Sequence, residues 1–189
     1  MLNLEGAKSK LKNEKVRKRV SFVFQIVLVL VLSALTAILM FQSVTMQESS
    51  MEPTISIGDR FFMNRLVYNV SSPKRGDIIV FRTNGSDDAA LHIRRVIGLP
   101  GETIQIKDGY IYVNGQLYKE GKDFPAISNA GLAANPISLE ANEYFVLGDN
   151  RNNSEDSRYG DIGLVPKRYI VGKIWFTLSP LKKIGFLKG

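Results

Sequence analysis

Cysteine is absent from this chain, and histidine occurs once, at position 92. The first absence excludes a disulfide scaffold, a thiol nucleophile and a thiolate-held metal. The second excludes a histidine-rich catalytic zinc site, and nothing in the sequence implies a cofactor. Any serine–histidine–aspartate triad has His92 as its sole base. Charge imbalance is also scarce outside one region. Residues 1–20 carry seven cations against two anions, whereas the other 169 residues carry 18 basic and 16 acidic groups. The formal net charge of +7 therefore sits mainly in an N-terminal basic arm and does not describe a body that binds nucleic acid. Internal repeats and low-complexity tracts are missing too.

From Val20 to Phe41 charge is lacking altogether. At about 1.5 Å per residue a helix of this length reaches roughly 33 Å, enough to cross a hydrocarbon core. Within a membrane the backbone must satisfy its own polar groups, so residues 20–41 are expected to be a transmembrane helix despite their β-branched content. A cleaved secretory leader has an apolar region of about 7–15 residues ending in small side chains. Here the run continues through Ile38-Leu39-Met40-Phe41, the pattern of an uncleaved signal anchor. The basic flank keeps residues 1–19 in the cytoplasm, which leaves residues 42–189 as an extracellular domain on a single-pass protein of the cell membrane.

That outer domain reads as mainly β. Arg60 to Val67, Asp77 to Arg82, His92 to Ile97, Glu102 to Lys107 and Tyr144 to Leu147 are strand-like runs between turn residues. Tyr110 to Tyr118 is a hairpin around Asn114-Gly115. Residues 119–142 read as a long surface loop, and Asp87-Asp88 as solvated turn residues. Ile170 to Leu187 mixes Trp175, Phe176 and Phe186 with Lys182 and Lys183, and reads either as a closing core strand or as a strand and tail resting on membrane lipid.

Ser49-Ser50-Met51-Glu52-Pro53-Thr54 follows the apolar run. Pro53 fixes its own φ and pushes Glu52 towards extended geometry, so the serines occupy a constrained turn. Further along stand Gly58-Asp59, Lys74-Arg75-Gly76-Asp77-Ile78-Ile79-Val80-Phe81 and Arg94-Arg95-Val96-Ile97-Gly98-Leu99-Pro100-Gly101-Glu102. The last segment is Gly148-Asp149-Asn150-Arg151-Asn152-Asn153-Ser154-Glu155-Asp156-Ser157-Arg158-Tyr159-Gly160. In this order, behind one N-terminal span, these segments resemble bacterial type I signal peptidases, most closely the short single-span form of Gram-positive bacteria. The resemblance covers roughly residues 20–180.

The resemblance implies a β-rich serine-protease fold and a Ser/Lys dyad, in which a neutral lysine takes the serine proton and an acyl-enzyme is hydrolysed at the outer membrane surface. It implies exported preproteins as substrates, with small residues at −1 and −3 of the cleavage site. Ser50 matches the nucleophile, Ser154 the serine that orients the base, and Asp156 and Arg158 the pair that supports it. Asp149 and Arg151 share that box and read as scaffold ion pairs. Val44, Met46 and Ile93 match the lining of shallow pockets for small side chains, although as apolar residues they also fit a core or a membrane flank.

Two positions depart from the family. It carries Tyr-x-Lys-Arg before the Gly-x-Pro-Gly turn, whereas here the segment is His92-Ile93-Arg94-Arg95, so the base position holds Arg94. Arginine, with a pKa above about 12, is effectively never deprotonated in proteins. Three readings stay open. His92, two residues earlier on the same strand face and about 6.5–7 Å away, serves as a substitute base; or the chain is a low-activity or inactive paralogue that binds preproteins or assists surface-protein assembly; or Arg94 is a substitution made to trap the enzyme. The second departure is Glu48, where the family has Ser or Gly; a carboxylate aimed at the developing oxyanion would repel it, unless it turns out to solvent.

Overall fold

The computed structural model describes residues 4–86 and 89–187, so Asp87 and Asp88 lie outside the described residues. The chain divides after Met40 into two compact units. The first is helix α1, Leu4–Met40. It begins well before the apolar run, so the basic arm shares the helix, and it ends one residue short of the expected boundary, because Phe41 opens a strand. Its stretch Glu14–Ala37 is long and apolar enough to cross a membrane, and none of that stretch is buried within the protein.

The second unit is β-rich. Its strands are β1 (Phe41–Thr45), β2 (Arg60–Asn64), β3 (Ile78–Arg82), β4 (Leu91–Gly98), β5 (Thr103–Lys107), β6 (Tyr110–Val113), β7 (Gln116–Leu117), β8 (Ile137–Ser138), β9 (Glu143–Leu147), β10 (Val165–Pro166), β11 (Ile170–Ser179) and β12 (Gly185–Phe186). The larger sheet runs β1-β2-β11-β3-β4-β9-β10, with β12 folded back onto β11; the smaller runs β7-β6-β5-β8. Every pairing is antiparallel.

Side chains alternate across a strand, so an unbroken apolar run implies that both faces are covered. On β3, Ile78 and Val80 enter one core cluster with Met51 and Ile55, while Ile79 and Phe81 enter another with Tyr144 and Val146. On β9, Phe145 and Leu147 pack instead against Ile104 and Ile111 beneath the smaller sheet. The large sheet is thus the shared wall of three cores.

The Asn-Gly hairpin forms as its sequence predicts: Asn114 and Gly115 take φ of 52° and 77°, and Val113 pairs with Gln116. Elsewhere the sequence reading falls short. The run from Arg60 stops as a strand at Asn64, whose side-chain oxygen accepts from the backbone of Leu66 and Val67 and turns the chain into a short helix over Val67–Val70. The loop 119–142 contains β8, which edges the smaller sheet through Thr103 and Ile104.

Where β11 crosses β2, a Cβ on Gly172 would lie 2.5 Å from the Asn64 carbonyl oxygen and 2.7 Å from Met63 Cγ. Gly172→Ala is expected to cost about 1–3 kcal/mol by overpacking. Gly160→Ala, where a Cβ meets nothing within 4 Å, leaves stability unchanged. Thermal unfolding of the two variants side by side checks this.

Candidate active site

Ser50 lies in the turn between β1 and β2 and is 3% exposed. The turn is closed by the Glu52 N–H donating to Ser49 O at 3.1 Å and the Ile55 N–H donating to Met51 O at 2.9 Å. Met51 and Ile55 root it in the core. The loop 148–160 grips it from the other side. Asn150 N–H donates to Ser50 O at 2.9 Å, its side-chain amide to Ser49 O at 3.1 Å, and the Asn153 amide to Ser49 Oγ at 3.0 Å. The two segments approach so closely that a Cβ on Gly148 would lie 2.5 Å from Ser50 O and 2.1 Å from Ser154 Oγ, which leaves glycine as the residue that fits.

Strand β4 delivers Arg94, which is fully buried. Its Nη1 donates to Ser50 Oγ and to Ile93 O, each at 2.7 Å, and to Glu48 Oε1; its Nη2 reaches Glu48 Oε2 at 3.5 Å. Nε donates to the Glu155 carbonyl at 2.7 Å. The two hydrogens of Nη1 therefore serve three acceptors. Glu48 is the ion-pair partner of Arg94, and its side chain stays partly open to solvent. Burial pushes its carboxyl up, but the hydrogen bond and charge of Arg94, with the neighbouring Ser50 hydroxyl and the His92 charge, outweigh that and hold it below its ordinary value.

His92 makes no hydrogen bond to Ser50. Its partner directly across β3 is Phe81, and the rings stack with centroids 5.7 Å apart. Its Nδ1 is buried without a hydrogen-bond partner. Burial and the nearby Arg94 charge lower its pKa, against the opposing pulls of Glu48 and Glu155. The Ser154 hydroxyl lies 3.5 Å from Glu155 O, the carbonyl that accepts from Arg94 Nε.

The remaining charges pair differently from their order in the sequence. Asp156 grips Arg158 with both oxygens, at 2.7 and 2.8 Å, and also accepts from the Gly148 N–H. Asp149 does not pair with Arg151. It holds Arg95 in a two-pronged bridge at 2.7 Å, while Arg151 is clasped by Glu120 from the long loop. Arg95 and Glu120 were not singled out in the sequence; Arg95 stood in a quoted segment, but nothing local marked its partner 54 residues away.

Two grooves open beside Glu48, and Ser50 lines one of them. One, of about 520 Å³, is lined by Val44, Met46, Glu48, His92 and Ile93 among others. The other, of about 490 Å³, is lined by Glu48, Ser50, Asn153, Ser154 and Glu155 among others. Glu48 is common to both.

A serine held in a rigid turn on the wall of an open groove, on a β-rich domain behind one apolar helix, has the form of a membrane-anchored serine endopeptidase. The sequence profile described as signal peptidase, peptidase S26, matches residues 19–179, and the chain belongs to that family. It is 36% identical over 176 residues to the signal peptidase I P of Bacillus subtilis subsp. natto, covering 89% of this chain and 94% of that one. It is 36% identical to signal peptidase I T of Bacillus subtilis strain 168, covering 84% of each chain. A crystal structure of a signal peptidase I from Enterococcus faecalis V583 superposes with a TM-score of 0.42 at 29% identity, over 55% of this chain and 97% of that one.

Two outcomes follow from this geometry. Asp149→Ala leaves Arg95 charged and buried and is expected to cost about 3–5 kcal/mol, while Arg95→Met with Asp149→Leu recovers most of that loss, read by denaturant unfolding. The fold favours neutral His92, so an unfolded chain takes up a proton there more readily than the folded one. As pH falls below its ordinary value of 6.5 the folded state should lose stability, and His92→Phe should flatten that part of the profile.

Proposed function

We propose that Ser50 is the nucleophile with which this signal peptidase releases exported preproteins from their signal peptides, and that the domain works on the outer face of the cell membrane with residues 1–19 in the cytoplasm. One observation carries the assignment to Ser50: the groove floored by Val44, Met46 and Ile93 and the groove that holds Ser50 share Glu48 as a common wall. An extended chain laid in the first is thereby led past the Ser50 hydroxyl. The backbone is suited to receive it. Among the described residues β1 pairs with β2 alone and β4 pairs with β9 only from Arg95 onward, so β1 offers a free edge to an added peptide, while on β4 the Ile93 carbonyl is already engaged by Arg94 Nη1. Val44, Met46 and Ile93 are themselves 9% exposed or less, so they form a shallow apolar floor that suits small side chains at −1 and −3.

In the reaction Ser50 Oγ forms a bond to the scissile carbonyl carbon, the peptide amine leaves with a proton, and water releases the acyl group from the serine. The Asp156–Arg158 and Asp149–Arg95 bridges act as scaffold, fixing the loop that holds the serine turn. Arg94 remains a cation that donates to the nucleophile oxygen.

The test incubates the full chain in detergent with a preprotein and sequences the new N-termini. The expected product begins just after a small residue, and Ser50→Ala yields none. An unchanged cut by Ser50→Ala would remove the serine from this role.

A further inference from the structure

We infer that the Glu48 carboxylate, not Arg94 or His92, takes the proton of Ser50, with Arg94 as the fixed positive charge that both oxygens share. The inference rests on Ser50 being the nucleophile. The groups around its hydroxyl leave few acceptors. A guanidinium has donors only. His92 is stacked on Phe81, and the Ser154 hydroxyl associates with Glu155 O. Glu48 is charged, two residues away along the chain, bonded to the same Nη1 as Ser50 Oγ, and part of the wall of the same groove.

The shared nitrogen makes the transfer electrostatically mild. Before it, Arg94 faces a carboxylate and a neutral hydroxyl. After it, Arg94 faces a neutral carboxylic acid and the serine oxygen on which negative charge develops. The charge passes from one acceptor of Nη1 to another, with no new separation from the cation. Because two hydrogens serve three acceptors there, the guanidinium can follow the charge without moving. The Glu48 side chain is 43% exposed in the free protein, so a peptide filling both grooves strips water from it and strengthens it as a base.

The protons balance. As Oγ bonds to the scissile carbon, the Ser50 proton moves to Glu48; as the C–N bond breaks, Glu48 gives that proton to the departing amine nitrogen. In the second half Glu48 takes a proton from the attacking water and returns it to Ser50 Oγ as the acyl ester opens.

Glu48 and Arg94 are therefore a matched pair, and a lysine placed alone at position 94 would be kept charged by Glu48 and unable to act as a neutral base. The experiment measures kcat and KM for preprotein cleavage by the full chain in detergent, across pH, for the wild type, Glu48→Gln, Arg94→Lys, the double variant Glu48→Ser with Arg94→Lys, and Ser50→Ala. Glu48→Gln is expected to lower kcat by about 10²-fold or more with KM changed only a few-fold. The wild-type kcat/KM, which reports the free enzyme, should stay flat from about pH 6 to 10 and fall only on the acid side, towards the ordinary carboxylate value of 4.5 or below. Arg94→Lys alone should gain nothing, while the double variant cuts with a rate that climbs on the alkaline side as its lysine loses its proton.

Full activity in Glu48→Gln, or a wild-type acid limb near neutrality that His92→Phe abolishes, overturns the role of Glu48 and leaves Ser50 standing. So does a silent wild type beside an active double variant. Cleavage by Ser50→Ala, or silence in both the wild type and the double variant, overturns the underlying assignment of the nucleophile itself.

Discussion

The site is organised by the need to neutralise one guanidinium sealed from water. Arg94 shares with Arg151 and Arg158 the rank of bulkiest fully buried side chain, and an unmatched charge in that position would be prohibitive. Its match is assembled from two separate stretches of chain: the 148–160 loop, which gives the Glu155 carbonyl, and the segment after β1, which gives the Glu48 carboxylate and the Ser50 hydroxyl. Those stretches are also the walls of the grooves, so satisfying the charge and building the cleft are the same event. Arg94 has in this way become the point to which the Ser50 hydroxyl is tied.

The surrounding scaffold extends that logic. With no cysteine to cross-link it, the loop 148–160 is held by side chains that each settle several demands. Asp156 answers both Arg158 and the Gly148 N–H, and Asp149 answers Arg95 with both oxygens while Arg95 also reaches Gly76 O. Such buried bridges add little net stability over apolar packing, but they tolerate few alternative arrangements once formed. What they fix is the position of the serine turn, through hydrogen bonds at 2.9–3.1 Å from Asn150 and through a glycine at 148 that lets the two segments touch.

Much of the fold was legible because the relevant signals are local. The Asn114-Gly115 turn announces its hairpin, and the doubly apolar runs of β3 and β9 reflect strands covered on both faces. Elements that depend on distant partners were not legible. β8 is two residues long and exists because β5 offers an edge, and β12 because β11 is long enough for the chain to fold back upon it. The strand run beginning at Arg60 looked continuous to Val67, yet the Asn64 side chain capped the following turn and ended it, a competition between side-chain and ladder hydrogen bonds that composition does not resolve.

By itself the sequence determined the apolar helix, the β-rich domain behind it and the family, because each of these is written in residue type and order. Only the tertiary structure decided which side chains meet. Whether Glu48 paired with a cation, whether His92 met the serine or a phenyl ring, and whether Asp149 paired with Arg151 or Arg95 all depend on which segments the β-sheet register brings side by side. Charges choose partners by distance in space, and no spacing along the chain contains that distance.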